Sequence, residues 1–187
     1  EMEKQIEYEA LREEILSSMQ IVKSYRSLLY TIVIAALAFA FDKDEAILFL
    51  VPFGAIIPIY LLAMHQIDST MRLGAYIYVF IEPGSECQWE TRLYKYDNLY
   101  QNQYGTKKSS IDPYWCMSFC CLLLSALKLD YCNMDFNFYI TVIFQIVFMI
   151  VCIYIFIKKR PDYLVTKEKY INEWKEVQRV ENERDEI

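Results

Sequence analysis

Residues 136–157 contain no charged side chain. As an α-helix, this run of 22 residues reaches about 33 Å, enough for a hydrocarbon core of about 30 Å. A second uncharged run, 46–64, has 19 residues and is also long enough to span. Charge is dense elsewhere: 24% of the 187 residues are charged, with a net charge of −6. With 55% apolar residues, only four Gly and five Pro, the chain belongs to neither the disordered nor the collagenous class. Such segregation of charge marks a membrane protein.

Two shorter runs, 27–41 and 114–127, need snorkelling neighbours to span: Lys23 and Arg26 before the first, Lys128 after the second, which extends it to 129. Each is otherwise a buried core helix or an interfacial segment. Orientation arithmetic supports four spans. The links Asp42-Lys43-Asp44-Glu45 and Lys128, Asp130, Asp135 carry two basic and five acidic residues. The opposite side receives Lys23, Arg26, Arg72, Lys107, Lys108, Lys158, Lys159 and Arg160. Basic residues favour the cytoplasmic face, so both termini and the insert 65–113 are expected inside a bacterial inner (plasma) membrane crossed in multiple passes. The expected fold is an all-α integral membrane protein: four transmembrane helices, cytosolic helices at 1–26 and 158–187, and a helical cytosolic insert.

The first residues include Glu1, Glu3, Glu7 and Glu9 without a basic n-region, so no cleavable signal peptide is expected. Cys87 is expected in the cytosol and Cys132 outside, with Cys116, Cys120, Cys121 and Cys152 in or near spans. That distribution gives no disulfide framework, and no CxxC pair suggests zinc.

In the N-terminal segment Leu11, Ile15, Met19 and Val22 form an apolar stripe, with no breaker before the first span. In the C-terminal segment Tyr170, Trp174 and Val177 form a comparable seam, and Pro161 is expected to kink or restart the helix. The two stripes either pack together within one chain or build a bundle between subunits. The apolar run 73–81 reads as helix rather than strand, Glu82-Pro83-Gly84-Ser85 as a breaker, and 89–103 as a further helix.

No catalytic constellation, metal cluster or cofactor motif is found. His65 is the only histidine and reads as an interfacial residue; there is no GxSxG, HExxH, P-loop or dinucleotide turn. Enzymatic activity is therefore not expected. Polar groups within spans are more informative. Asn137, Thr141, Gln145 and Cys152 fall within about 80° of helical arc, either as interhelical hydrogen-bonding glue or as the wall of a pore. Ser118, Cys121 and Ser125 form a weaker stripe on the third span. Pro52, Gly54 and Pro58 loosen the second span as a static kink or a gating hinge. Arg72, Arg92, Lys95, Lys107 and Lys108 interleave with Tyr96, Tyr100 and Tyr104, a pattern suited to a nucleotide or single-stranded oligonucleotide. Anionic lipid accounts for the same basic residues, and a subunit contact for the tyrosines.

The order of cytosolic helix, span 27–41, tight link 42–45, span 46–64 and helix resembles the helix–two-span–helix plan of SLATT-type membrane effectors of bacterial conflict systems. That likeness covers roughly residues 11–92; the last two spans have no counterpart in the plan. The stretch Arg72…Ala75-Tyr76-Ile77-Tyr78-Val79-Phe80-Ile81-Glu82…Trp89-Glu90-Thr91-Arg92 resembles bacterial membrane proteins of similar size. A looser likeness is to the channel-like effector of the Hailong anti-phage system, whose partner is a nucleotidyltransferase making DNA oligomers. These resemblances imply an oligomeric membrane effector, here expected as a tetramer, whose pore opening or bilayer damage stops growth during infection. The competing expectation is a non-conducting anchor or sensor that recruits a cytosolic partner protein through 65–113.

Overall fold

The computed structural model describes residues 2–83, 88–104, 113–131, 135–158 and 163–185. Every regular element among them is helical: α1 (Met2–Lys43), a 3-10 segment (Ala46–Leu50), α2 (Phe53–Tyr76), a π-helical turn (Ile77–Ile81), α3 (Trp89–Tyr104), α4 (Pro113–Leu127), α5 (Phe136–Lys158) and α6 (Tyr163–Asp185). Three helical stretches are long and apolar enough to cross a membrane: Lys4–Lys43, Ala46–Ile81 and Phe136–Ile155. Helix α4 is apolar but has 15 residues, about 22 Å, shorter than a hydrocarbon core. The chain divides into two compact units: residues 1–22, 65–108 and 161–187 in one, residues 23–64 and 109–160 in the other.

Helix α1 is continuous over 42 residues because no Gly or Pro interrupts it. It ends at the link expected between the first two spans. Asp44 adopts the left-handed conformation (φ 54°), and its N–H bonds back to the Ala40 carbonyl at 3.0 Å, closing the last turn as a glycine usually does. Its carboxylate also pairs with Lys128.

The second apolar run departs from the single α-helix expected over 46–64. Its first turn is 3-10, with Leu48 N–H on the Glu45 carbonyl (3.1 Å) and Val51 N–H on Leu48 (3.2 Å). Pro52 then has no N–H to continue the ladder. Its carbonyl instead accepts Ala55 and Ile56 N–H, both at 2.9 Å, and starts α2. No break follows at residue 65: α2 runs on to Tyr76, carrying the span and the start of the expected insert as one helix. The run 73–81 is helical, in its second part with π geometry: Glu82 N–H reaches five residues back to the Ile77 carbonyl (3.0 Å).

Ala46–Ile81, which enters the apolar unit through residues 46–64, has the most buried apolar segment of the three long stretches, 44% against 17% and 11%. Phe49, Phe53, Ile56, Tyr60 and Ala63 are buried. Phe53 stacks on Phe148 (4.8 Å), and Tyr60 meets Tyr114 edge-on (5.1 Å). In contrast, α5 exposes Ile143, Ile146, Val147, Met149, Ile150 and Ile153. An all-apolar exposed face is what lipid tolerates and water does not.

The polar unit centres on Ala75, Val79 and Ile171, enclosed by Tyr78, Phe80, Tyr94, Tyr170 and Trp174. Trp174 meets both Tyr76 (5.2 Å) and Phe80 (6.0 Å) edge-on. The expected stripes hold at Val22, which is buried, and at Tyr170 and Trp174, which pack on this core, while one member of each departs. Met19 is 51% exposed while Ser18 is buried, its hydroxyl accepting from Gln66 at 2.6 Å. Val177 is 40% exposed, and Ile171 takes the buried place. The spacing of contacts down α6 is Lys167, Ile171, Trp174, which a purely apolar pattern misses because its first member is charged.

The left-handed Asp44 gives a direct test. Asp44→Gly keeps the backbone conformation and loses an exposed ion pair, a change of under about 1 kcal/mol. Asp44→Val, strained in that conformation, costs about 1–2 kcal/mol. Thermal melts of the detergent-solubilised variants separate the two.

Candidate functional site

Two groups of polar residues lie where burial makes polarity costly, one in each unit. In the apolar unit, the stripes on α4 and α5 face each other. Gln145 donates from Nε2 to the Ser125 hydroxyl at 2.9 Å, and Ser125 donates to the Ala46 carbonyl at 2.8 Å. One hydroxyl therefore joins α5, α4 and the 3-10 segment. Thr141 is buried, and its hydroxyl donates to the Asn137 carbonyl one turn back at 2.8 Å. Cys152 is buried beside Ser118, and Asn137 is exposed. Of the expected pore-lining residues, Gln145 and Cys152 thus meet α4 within one chain, the arrangement of the hydrogen-bonding alternative. A pocket of about 260 Å³ adjoins this seam, lined by Glu45, Asp130 and Asp135 together with Asn137 and Thr141.

The expected hinge residues have separate roles. Pro52 is buried and ends the 3-10 segment, while Pro58 lies inside α2. Gly54 faces open space: a Cβ there would touch nothing within 4 Å.

In the polar unit, Lys167 is 1% exposed and its Nζ lies 2.7 Å from Glu90 Oε2. The ammonium also sits 5.9 Å from the centre of the Tyr94 ring. Glu82, itself buried, occupies the N-terminus of α3. Its carboxylate accepts Glu90 N–H (2.6 Å), Thr91 N–H (2.8 Å) and the Thr91 hydroxyl (2.5 Å). That satisfies donors the helix leaves open and places negative charge at its positive end. Gly74 makes room for the ion pair, since a Cβ there would stand 3.2 Å from Glu90 Oε2. Partial burial raises the Asp97 carboxyl pKa, an effect the nearby Lys167 charge opposes. Helix α6 is held further by the Tyr170 hydroxyl donating to Asp68 (2.8 Å) and Trp174 Nε1 donating to the Arg72 carbonyl (3.2 Å). Burial and the Asp68 contact push the Tyr170 hydroxyl up to about 12.

Beside this cluster is a cleft of about 400 Å³ lined by Tyr78, Gln88, Thr91, Lys95, Lys175 and Gln178, among others. Lys95 is the one expected ligand residue among its lining side chains. Arg72, Arg92 and Tyr96 are exposed elsewhere. Lys107 and Lys108, and the side chains of Tyr100 and Tyr104, lie outside the described residues. Lys175 and Gln178 are the members that sequence reading missed. Their signal was positional: both follow the buried face of α6, at eight and eleven residues from Lys167. Cys116, Cys120, Cys121 and Cys152 carry free thiols.

The buried pair makes a two-way prediction. Lys167→Met leaves Glu90 uncompensated and costs about 3–5 kcal/mol. Adding Glu90→Met restores most of that loss, because the penalty belongs to the unpaired charge. Denaturation of the four members of the double-mutant cycle measures it; additive losses contradict the assignment. No family model, curated protein or solved structure matches this chain.

Proposed function

We propose that the chain is an oligomeric, channel-like membrane effector, controlled through its polar helical unit. The observation that carries this reading is the polar seam inside the apolar unit: an acid-lined pocket continued by Asn137, Thr141, Gln145 with Ser125, and Cys152 with Ser118. Uncharged polar side chains at membrane depth either join helices or line a water-filled path, and the acid-lined pocket that opens onto this seam favours the path. In this reading α4 is the fourth span, shortened and flanked by Trp115 and Lys128, and both termini are cytoplasmic. In this reading Gln145 and Ser125 line the conducting path between α4 and α5 and supply polar contacts to the passing ion. The carboxylates of Glu45, Asp130 and Asp135 at the mouth of this path favour cations.

The polar unit is the regulatory part. Its Lys95–Lys175 cleft suits a phosphate-bearing ligand, a nucleotide or a single-stranded oligonucleotide, with Tyr78 offering a ring face. Four copies around an axis are proposed for the assembly, and the resemblance of residues 11–92 to bacterial conflict effectors suggests the setting, abortive infection at the inner membrane. One observation favours a second reading. Because Gln145 already has its partner within the chain, the seam is also compatible with a non-conducting anchor whose polar unit recruits a cytosolic protein.

Ion flux from liposomes containing the purified chain distinguishes the two. The channel reading expects cation flux, and Gln145→Leu should lower it at least about tenfold, the scale of losing one buried polar contact, while the oligomer persists. Silence in the presence of nucleotides and short oligonucleotides, or flux indifferent to Gln145→Leu, overturns it. Lys95→Glu with Lys175→Glu should abolish the response to ligand and leave assembly intact.

A further inference from the structure

We propose that the outward face of α3 lies on an anionic bilayer surface, with Trp89, Tyr96 and Leu99 in the headgroup region and Arg92 on the lipid phosphates. This rests on the membrane reading above and adds a peripheral contact to it. At 100° per residue, Trp89, Arg92, Tyr96 and Leu99 fall within about 80° of helical arc. Trp89, Tyr96 and Leu99 are 60%, 57% and 65% exposed, and Arg92 is exposed with them. The opposite side of the helix belongs to the interior of the polar unit. There Glu90 pairs with the buried Lys167, Tyr94 stands against the same ammonium, and its charge acts on Asp97.

Charge on α3 is sorted by face. Its two acids, Glu90 and Asp97, turn inward, while its two bases, Arg92 and Lys95, are both exposed. In a chain of net charge −6, a face with positive charge alone is a local exception, and it matches a negatively charged partner. Aromatic rings and leucine beside basic residues are the composition of helices that lie in the plane of a membrane interface, where each Lys or Arg favours an anionic leaflet. Two other occupants match less of the face. A second copy presenting the same face brings more positive charge to the contact and no acid to answer it. A single-stranded nucleic acid uses the charges and rings but leaves Leu99 in water. Chain length agrees with the bilayer. Eight residues, 105–112, separate Tyr104 from Pro113, at most about 30 Å of extended chain, and they include Lys107 and Lys108. Where α4 enters the inner leaflet, the chain therefore tethers α3 within reach of it.

Trp89 reports on its own surroundings. Its emission is the difference between the wild type and Trp89→Phe, which share Trp115 and Trp174. The full chain is reconstituted in vesicles of phosphatidylglycerol and brominated phosphatidylcholine, and quenching by the brominated lipid is the readout. Trp89 should be quenched there, and should escape quenching when zwitterionic lipid replaces phosphatidylglycerol. Arg92→Glu should lower the ratio of docked to free α3 at least about fivefold, the scale of one basic residue near an anionic surface. Arg92→Lys keeps the charge and should stay near wild type, separating lost charge from lost folding. An unquenched Trp89 in anionic vesicles, or quenching indifferent to lipid charge and to Arg92→Glu, overturns the proposal. So does a Trp89 shielded from aqueous acrylamide yet untouched by brominated lipid, which assigns the face to a second copy, or shielded only when a short oligonucleotide is added. Flotation of the same vesicles keeps the two readings apart. A chain that floats with Trp89 in water refutes only the α3 contact; one that fails to float refutes the membrane reading as well.

Discussion

The apolar unit depends on one hydroxyl. Ser125 accepts from Gln145 and donates to the Ala46 carbonyl, so a single small side chain fixes three segments. Surrounded by hydrocarbon, such bonds face little competition from water, and their directionality specifies a register that leucine and phenylalanine contacts leave loose. Ser125 brings a further donor to the Ala46 carbonyl, at the start of the tight turn that precedes Pro52.

The polar unit solves the same problem with full charges. Two carboxylates and one ammonium are buried close together, and each is answered differently: Glu82 by the open N–H groups of α3, Glu90 by Lys167, and Lys167 also by the Tyr94 ring. Hydrophobic substitutes would stabilise a unit of this size equally well. What ions add is selectivity of fit, because α6 can seat Lys167 in only one axial position. Gly74 shows how closely that fit is drawn, since a methyl group there would stand 3.2 Å from Glu90 Oε2 and press on the carboxylate.

Helices were legible in the sequence wherever apolar residues ran long or recurred with helical period. The unbroken α1, the helical character of 73–81 and the helix beginning at Trp89 follow from that pattern and from the placement of Gly and Pro. The details of the seams were not legible. Met19 and Val177 fit an apolar template, yet Ser18 and Lys167 hold the buried positions, because partners distant in sequence, Gln66 and Glu90, remove the cost of burying them. Of the stripe from Asn137 to Cys152, periodicity gave the shared face but not what it meets. The end of the second span at residue 64 was drawn where the uncharged run stops, and the division between the units falls there too, while the helix itself continues unbroken to Tyr76.

The π-helical turn at Ile77–Ile81 carries an evolutionary implication. Such a turn holds one residue more than an α-turn of the same height. The wide turn absorbs that residue, so excising it would leave an α-turn with Glu82 in nearly the same phase at the start of α3. A deletion in the α-helical part of α2 would instead rotate everything beyond it by about 100° and carry Glu82 away from the amides it serves. Changes of length by one residue should therefore be tolerated in this turn and not in the helix before it.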